Sequence, residues 1–403
     1  MKKTGTTFLA FLAFMLLTLS FQAYHAEAGS KILKIGTIFP LTGPAAPGMG
    51  PEATDGVRAA ADWINEKGGI SIKGQKYKME IIAEDNKSTP EGTVAAANKL
   101  IFSHKVKFIS GPIIPWLNIA MTPVSEQAKV LRCLVDGTGT LQEMNTNTKY
   151  TFAPFFELPQ IPPIYDHAVK SYPGVRKMAI VNPDEPGGHF FAAVCKKAAE
   201  KRGLKVVQTV FYPFDTKDFY PIWTKMLAQK PDAVDMGLGI PPWYAAIIKQ
   251  GRELGFSGPI LTPSAIPDVS VFVKLVGKEY ADKILFSISS LYNPEASPVM
   301  EAVKKHILGK YSSQVVEAHL GGWSSLWCIA QAIEEAQSLD TTVVAETWRR
   351  MKRIETLNGP ATMGGQDVYG INNIVLRPVG VGRIKKGEVK FIGYFPPRFP
   401  ELP

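Results

Sequence analysis

Between Lys31 and Asn86 the chain sets out one complete βαβ unit, and that unit constrains most of what can follow. Residues 32–39 (Ile-Leu-Lys-Ile-Gly-Thr-Ile-Phe) are rich in β-branched side chains and read as a buried strand. Residues 40–50 form a Gly/Pro loop of small side chains. A helix then starts near Glu52 and Asp55, acids that favour a helix N-terminus, and Gly68-Gly69 ends it. Val57, Ala60, Ala61 and Ile64 fall on one apolar face of that helix. Residues 77–83 supply the second strand and stop at Glu84-Asp85-Asn86. A strand, a small-residue loop, a helix and a parallel strand connect in the right-handed sense, with the loop at the carboxyl end of the first strand. Open parallel sheets place their sites at that end.

The βα alternation continues. Val94, Ala97, Leu100 and Ile101 share a helical face, followed by a strand at 107–110, a helix at 117–128 and a strand at 130–135. Around 150–163 the pattern breaks into Phe152-Ala153-Pro154-Phe155-Phe156 and several prolines, a first candidate crossover. A second series has strands at 177–181, 205–211, 233–236 and 259–261, separated by helices near 190–201, 220–228, 244–254 and 269–276. Residues 285–291 read as a strand returning to the first half, because the helices at 299–308 and 317–336 have no strands between them. A further crossover is expected near 355–362, then short antiparallel strands at 373–378, 382–385 and 389–395, and a Pro-rich tail at 396–403.

Several runs in this frame resemble the type I periplasmic solute-binding proteins, in the leucine/isoleucine/valine-binding branch. They are Phe39-Pro40-Leu41-Thr42-Gly43-Pro44, Asp55-Gly56-Val57, Asn65-Glu66-Lys67-Gly68-Gly69-Ile70 and Glu84-Asp85-Asn86, in that order and spacing. The resemblance implies an α/β fold of two Rossmann-like lobes joined by a three-segment hinge. The expected lobes are 29–152 plus 286–355 and 153–285 plus 356–395. It also implies an extracytoplasmic binding component of an ABC importer that closes over a small molecule, then docks as a monomer on an inner-membrane permease. A sensory protein of the same fold is the alternative, with a secreted enzyme ranked well below.

Residues 1–28 carry the three parts of a secretory signal: Lys2 and Lys3, an apolar run from Phe8 to Leu19, and Ala26-Glu27-Ala28 as the cleavage site. The run is short for a bilayer span, which needs about 20 residues, so a periplasmic protein is expected. The formal charge of +9 becomes +8 once two lysines and one glutamate leave with the signal. Basic residues are scattered over helices, without the patch or stripe of a nucleic-acid binder. The 3 cysteines, Cys133, Cys195 and Cys328, sit in strand or helix patterns and are expected as buried free thiols, with one bridge between two of them as the alternative, and no C-x-x-C occurs.

No catalytic constellation is visible. Gly322-Trp323-Ser324-Ser325-Leu326 lacks the second glycine of a nucleophile elbow, and Gly237-Leu238-Gly239 runs into prolines that remove phosphate-facing donors. The histidines are dispersed with no i, i+4 pair, so no metal or cofactor is expected.

The family holds a ligand carboxylate with serines after the third strand. Here that loop is Gly111-Pro112-Ile113-Ile114-Pro115-Trp116, without serines. The next loop keeps Gly137 and Thr138, a Thr at the family's contact position. Ser264 stands where the family's acid pairs with the amino group, and the tyrosine before Gly187 is missing. A buried ammonium without a carboxylate costs several kcal/mol, which argues against an ordinary α-amino acid. The replacements are apolar: Met49, Trp116, Phe155, Phe156, Phe190, Trp243 and Tyr244, with Tyr292 weaker and His189 at a loop–helix edge. The expected ligand is apolar or aromatic, with a carboxylate at Thr138 as one form; the alternative is a branched-chain or aliphatic amino acid. The site residues on this reading are Met49, Trp116, Gly137, Thr138, Phe155, His189, Trp243 and Ser264.

Overall fold

The structure is a computed structural model describing residues 29–213, 215–266, 269–295 and 297–403. The expected signal segment lies outside the described residues. Strands β1 (Lys31–Phe39), β2 (Ile70–Ile72), β3 (Gln75–Asp85), β4 (Phe108–Ser110), β5 (Leu131–Cys133) and β6 (Thr151–Phe152) form one sheet in the order β2-β3-β1-β4-β5-β6. It is parallel except for β2, which pairs antiparallel with β3.

A second sheet holds β7 (Lys177–Pro183), β8 (Lys205–Tyr212), β9 (Ala233–Asp235), β10 (Ile260–Ala265), β11 (Ile284–Ser287), β15 (Val379–Lys385) and β16 (Glu388–Phe395), in the order β16-β15-β11-β10-β9-β7-β8. The last two strands run antiparallel, as their sequence patterning suggests. Between β11 and β15 in sequence, β12 (Ile354–Thr356), β13 (Gly359–Gly364) and β14 (Ile374–Leu376) make a small antiparallel sheet.

Helix α1 (Gly50–Glu66) covers β1 and β3 and packs along a long helix, Glu317–Ala336. The Asp55-Gly56-Val57 signature has a steric reason. A Cβ on Gly56 would lie 2.1 Å from the His319 carbonyl oxygen, and one on Gly322 would lie 2.0 Å from that of Ala53. Two glycines therefore let the helix backbones touch, and Val57, Ala60, Ile64, Trp323 and Leu326 fill the seam.

Two expectations need correcting. The strand expected to return to the first lobe is β11, and it stays in the second sheet, parallel to β10 and antiparallel to β15. Its Ile284, Leu285 and Phe286 are fully buried within the second sheet's core, where a helix-only return path leaves no competing strand. The segment at 355–362 is not a crossing but the β12–β13 hairpin, whose Ile354, Leu357 and Ala361 are buried in the first core. Among the described residues the chain passes between sheets at three places: after β6, after β11, and at Arg377-Pro378 between β14 and β15. Cys133, Cys195 and Cys328 are free and buried, in β5 and in helices Pro186–Glu200 and Glu317–Ala336. No helix among the described residues is long and apolar enough to cross a membrane.

Candidate ligand-binding site

The family-like signatures turn out to be loop clamps. The Asp85 carboxylate accepts from Leu41 N–H (2.9 Å), Thr42 N–H (3.2 Å) and the Thr42 hydroxyl (2.6 Å), fixing the loop after β1. Burial pushes its pKa up, but these bonds and one from Lys87 outweigh it and leave the group below its ordinary value. That loop delivers Gly48 and Met49 to a cavity.

The loop after β5 has a clamp of its own. Glu143, fully buried, accepts from Gly139 N–H (2.9 Å), Thr140 N–H (3.1 Å) and the Asn118 amide (3.2 Å). Gly137 has no room for a side chain, since a Cβ would meet Glu143 Oε1 and Phe156 Cε1 at 2.6 Å each. The same loop is tied to the first passage by Glu157 N–H, which donates to Gly137 O at 3.1 Å.

The cavity, about 840 Å³ including its open mouth, lies at the carboxyl ends of β1, β4 and β5. Met49, Ile113, Val135, Phe155, Leu320 and Leu357 give it apolar walls. All three inter-sheet passages reach it: Pro154, Phe155 and Glu157 from the first, Ser290 from the second, and Arg377 from the third. A recess of about 420 Å³ backs onto the same Phe155–Glu317–Arg377 wall.

Charge is concentrated here. Asp136, Glu157, Glu317 and Arg377 all line the cavity. Burial pushes Asp136 up to about 7, with Glu143 and Glu317 adding to it and Arg377 and the Gly137 N–H opposing. Burial and then Asp136 push Glu157 well up. Burial raises Glu317, with Arg377 as the chief opposing charge, and burial lowers Arg377. The Arg377 guanidinium also sits 4.5 Å from the Phe155 ring centre, a cation–π contact.

The structure brings together Met49, Phe155 and, through a bond, Ser264. Ser264 is buried, and its hydroxyl donates to Glu157 Oε1 at 2.6 Å. The position expected to lack an acid thus holds one supplied from the first passage. Thr138 is buried and does not line the cavity, nor does Gly137, because Glu143 turns their loop inward.

Trp116 is 49% exposed at the start of helix Pro115–Gln127, off the cavity wall. Trp243 packs half-buried on the second core, edge-on to Tyr212 at 5.6 Å. His189 is drawn away by Asp184 (2.7 Å) and stacks on Phe211 at 3.7 Å. Phe156 is buried against Tyr369, and Tyr244 is buried with its hydroxyl on Gly237 O (2.9 Å).

Glu157, Glu317 and Arg377 were not marked by any motif. The available signals were weak: an acid directly after Phe155-Phe156, an acid opening a helix, and a base ahead of Pro378. Among the described residues no cluster of metal-ligating side chains occurs.

A loop-ended cavity where three hinge passages meet, on two largely parallel sheets, defines a two-lobed binding protein. A sequence model described as periplasmic binding protein matches residues 32–388, and the chain belongs to that family of solute-binding proteins. The Leu/Ile/Val-binding protein BraC3 of Rhizobium johnstonii is 28% identical over 371 residues, covering 90% of this chain and 93% of BraC3. Two solved structures share the fold. The branched-chain amino acid transporter substrate-binding protein LivJ of Streptococcus pneumoniae, in complex with isoleucine, aligns with TM-score 0.73 at 19% identity, covering 91% of this chain and 100% of that one. A solute-binding protein of an ABC transporter from Rhodopseudomonas palustris, in complex with p-hydroxybenzoic acid, aligns with TM-score 0.76 at 19% identity, covering 91% and 98%.

Proposed function

We propose that this chain is the periplasmic, monomeric solute-binding component of an ABC importer, taking a small apolar or aromatic molecule into the cavity at the hinge. The observation that carries this reading is that all three inter-sheet passages line one cavity with apolar walls. A ligand touching every passage has differential contacts in open and closed forms, which is what shifting a hinge equilibrium requires. The volume suits a small molecule. The lobes on this reading are 29–152 with 298–376 and 158–287 with 379–395, and the closed form is what a permease would recognise.

A second reading, a branched-chain amino acid as ligand, is favoured by the similarity to BraC3 and by the isoleucine bound in LivJ. Thermal-shift screening of purified protein against aromatic acids, aliphatic acids, amines and amino acids tests both, since a ligand bound only by the folded state raises its stability. Met49→Ala and Phe155→Ala should each weaken the best hit about tenfold while leaving the fold intact. Unchanged affinity in both variants would place the ligand elsewhere.

A further inference from the structure

Residues 396–403 form neither strand nor helix, yet they are held at several points. Positions 396, 397, 400 and 403 are proline, so φ is fixed over much of the segment and docking it costs little conformational freedom. Its anchors lie on the second lobe. Arg398 pairs with Asp166 on helix Ile161–Ser171. Lys197, on helix Pro186–Glu200, pairs with Glu401 at 3.6 Å and donates to the Leu402 carbonyl at 2.5 Å. The Leu402 side chain packs on that lobe's core.

Phe399 does something different. It packs on the same second-lobe core and also on a first-lobe cluster that includes Leu134, Met144, Tyr369 and Ile374. Its ring stands edge-on to Tyr369 at 5.6 Å, and Tyr369 stands edge-on to Phe156 at 6.0 Å. Phe156 lies in the first inter-sheet passage, next to Phe155 on the cavity wall. The Tyr369 hydroxyl donates to Gly139 O at 2.8 Å, in the loop that carries Asp136 to the cavity. A row of three rings therefore runs from this segment to the hinge.

We propose that residues 396–403 are a strap across the hinge, which restrains rotation of the two lobes about the three passages. The ion pairs and Leu402 fasten it to the second lobe, and Phe399 bears on the first. Rotation at the passage that Phe156 occupies moves Tyr369 relative to helix Ile161–Ser171, so Phe399 must leave one lobe to stay with the other. Its contacts are complete in one arrangement of the lobes and favour that arrangement over the rest. The fraction of molecules holding that arrangement scales the apparent affinity for whatever the cavity takes. The strap acts on the lobes whether the ligand is an aromatic molecule or an amino acid.

The test needs no ligand. Nitroxide labels at Ser103→Cys on the first lobe and Lys225→Cys on the second, both exposed positions, report the distance between lobes by double electron–electron resonance. The native thiols are buried and leave the label to the introduced pair. Three changes are made in this background: Phe399→Ala, deletion of 396–403, and Lys197→Glu together with Arg398→Glu. The last sets like charges against Glu401 and Asp166 at the surface, and keeps the test open where Phe399→Ala fails to fold. Each folded variant should give a distance distribution about twofold wider than that of the parent, as freer hinge motion requires.

A segment that only covers apolar surface would add stability without setting the distance between lobes. Phe256→Leu, in a separate apolar cluster of the second lobe, supplies that comparison: it should lower the melting temperature and leave the distribution as narrow as in the parent. The proposal is overturned if any folded strap variant keeps the parent's distribution, or if Phe256→Leu widens it as much as the strap variants do.

Discussion

Glu143→Ala offers the sharpest test of how the site is built, because this side chain has no direct access to ligand. Its carboxylate holds the β5 loop from below, accepting from Gly139 N–H, Thr140 N–H and the Asn118 amide. Truncation leaves the Gly139 N–H and the Asn118 amide buried without that acceptor, while the half-buried Thr140 can turn to water. A hydrogen bond to a charged group contributes about 1.5–3 kcal/mol net, so two such losses come to about 3–6 kcal/mol. Relief of the buried charge, whose pKa burial already raises, returns part of this. A net loss of about 2–4 kcal/mol is expected, and about half that for Glu143→Gln. Urea unfolding followed by tryptophan fluorescence measures it, alongside affinity for the best ligand. Because Asp136 rides on the same loop, affinity should fall too. A stability loss below about 1 kcal/mol with affinity unchanged would refute the clamp.

Three further outcomes follow from the same geometry. Asp136 is raised to about 7, so the folded state keeps a proton that the unfolded chain releases above about pH 4; unliganded stability should therefore fall as pH rises from about 4 to 7. The full shift corresponds to about 4 kcal/mol, reduced to about 1–2 kcal/mol by solvent at the cavity mouth, and Asp136→Asn should flatten this slope in melts across that range. Deleting 396–403 removes the Arg398–Asp166 and Lys197–Glu401 pairs and the Phe399 ring, 5.6 Å from Tyr369, whose hydroxyl donates to Gly139 O; about 2–3 kcal/mol should be lost by chemical denaturation. Trp116→Ala should cost under about 1 kcal/mol, whereas Trp223→Ala should cost about 3–5 kcal/mol, since Trp223 is fully buried with its indole N–H on Ile247 O at 2.7 Å.

The fold was legible because its parts are local. Each βα unit shows its own periodicity, and the Gly56, Gly68-Gly69 and Asp85 signatures each correspond to a steric or hydrogen-bonding need. The crossings were less so: β11 is a short buried strand, and nothing in Ile-Leu-Phe-Ser says which sheet receives it. The candidate cavity was legible only in part, for a similar reason. Met49 and Phe155 follow from their loops, but the Glu157–Ser264 bond joins residues 107 positions apart. Ser264 alone looked like the loss of an acid; only the three-dimensional structure shows the acid arriving from the hinge. Trp116 and Trp243 each follow a proline at a strand end, yet that position starts a helix, and Trp116 leaves the cavity for the surface.

The central claim is that a small molecule bound at the hinge closes two lobes. Small-angle X-ray scattering of the purified protein, with and without saturating amounts of the tightest binder from the thermal-shift screen, tests it directly. The account predicts a smaller radius of gyration and a shorter maximum dimension on binding, at unchanged mass, with the change lost in Met49→Ala at the same probe concentration. A saturated protein whose scattering curve stays superimposable on that of the unliganded form would contradict it.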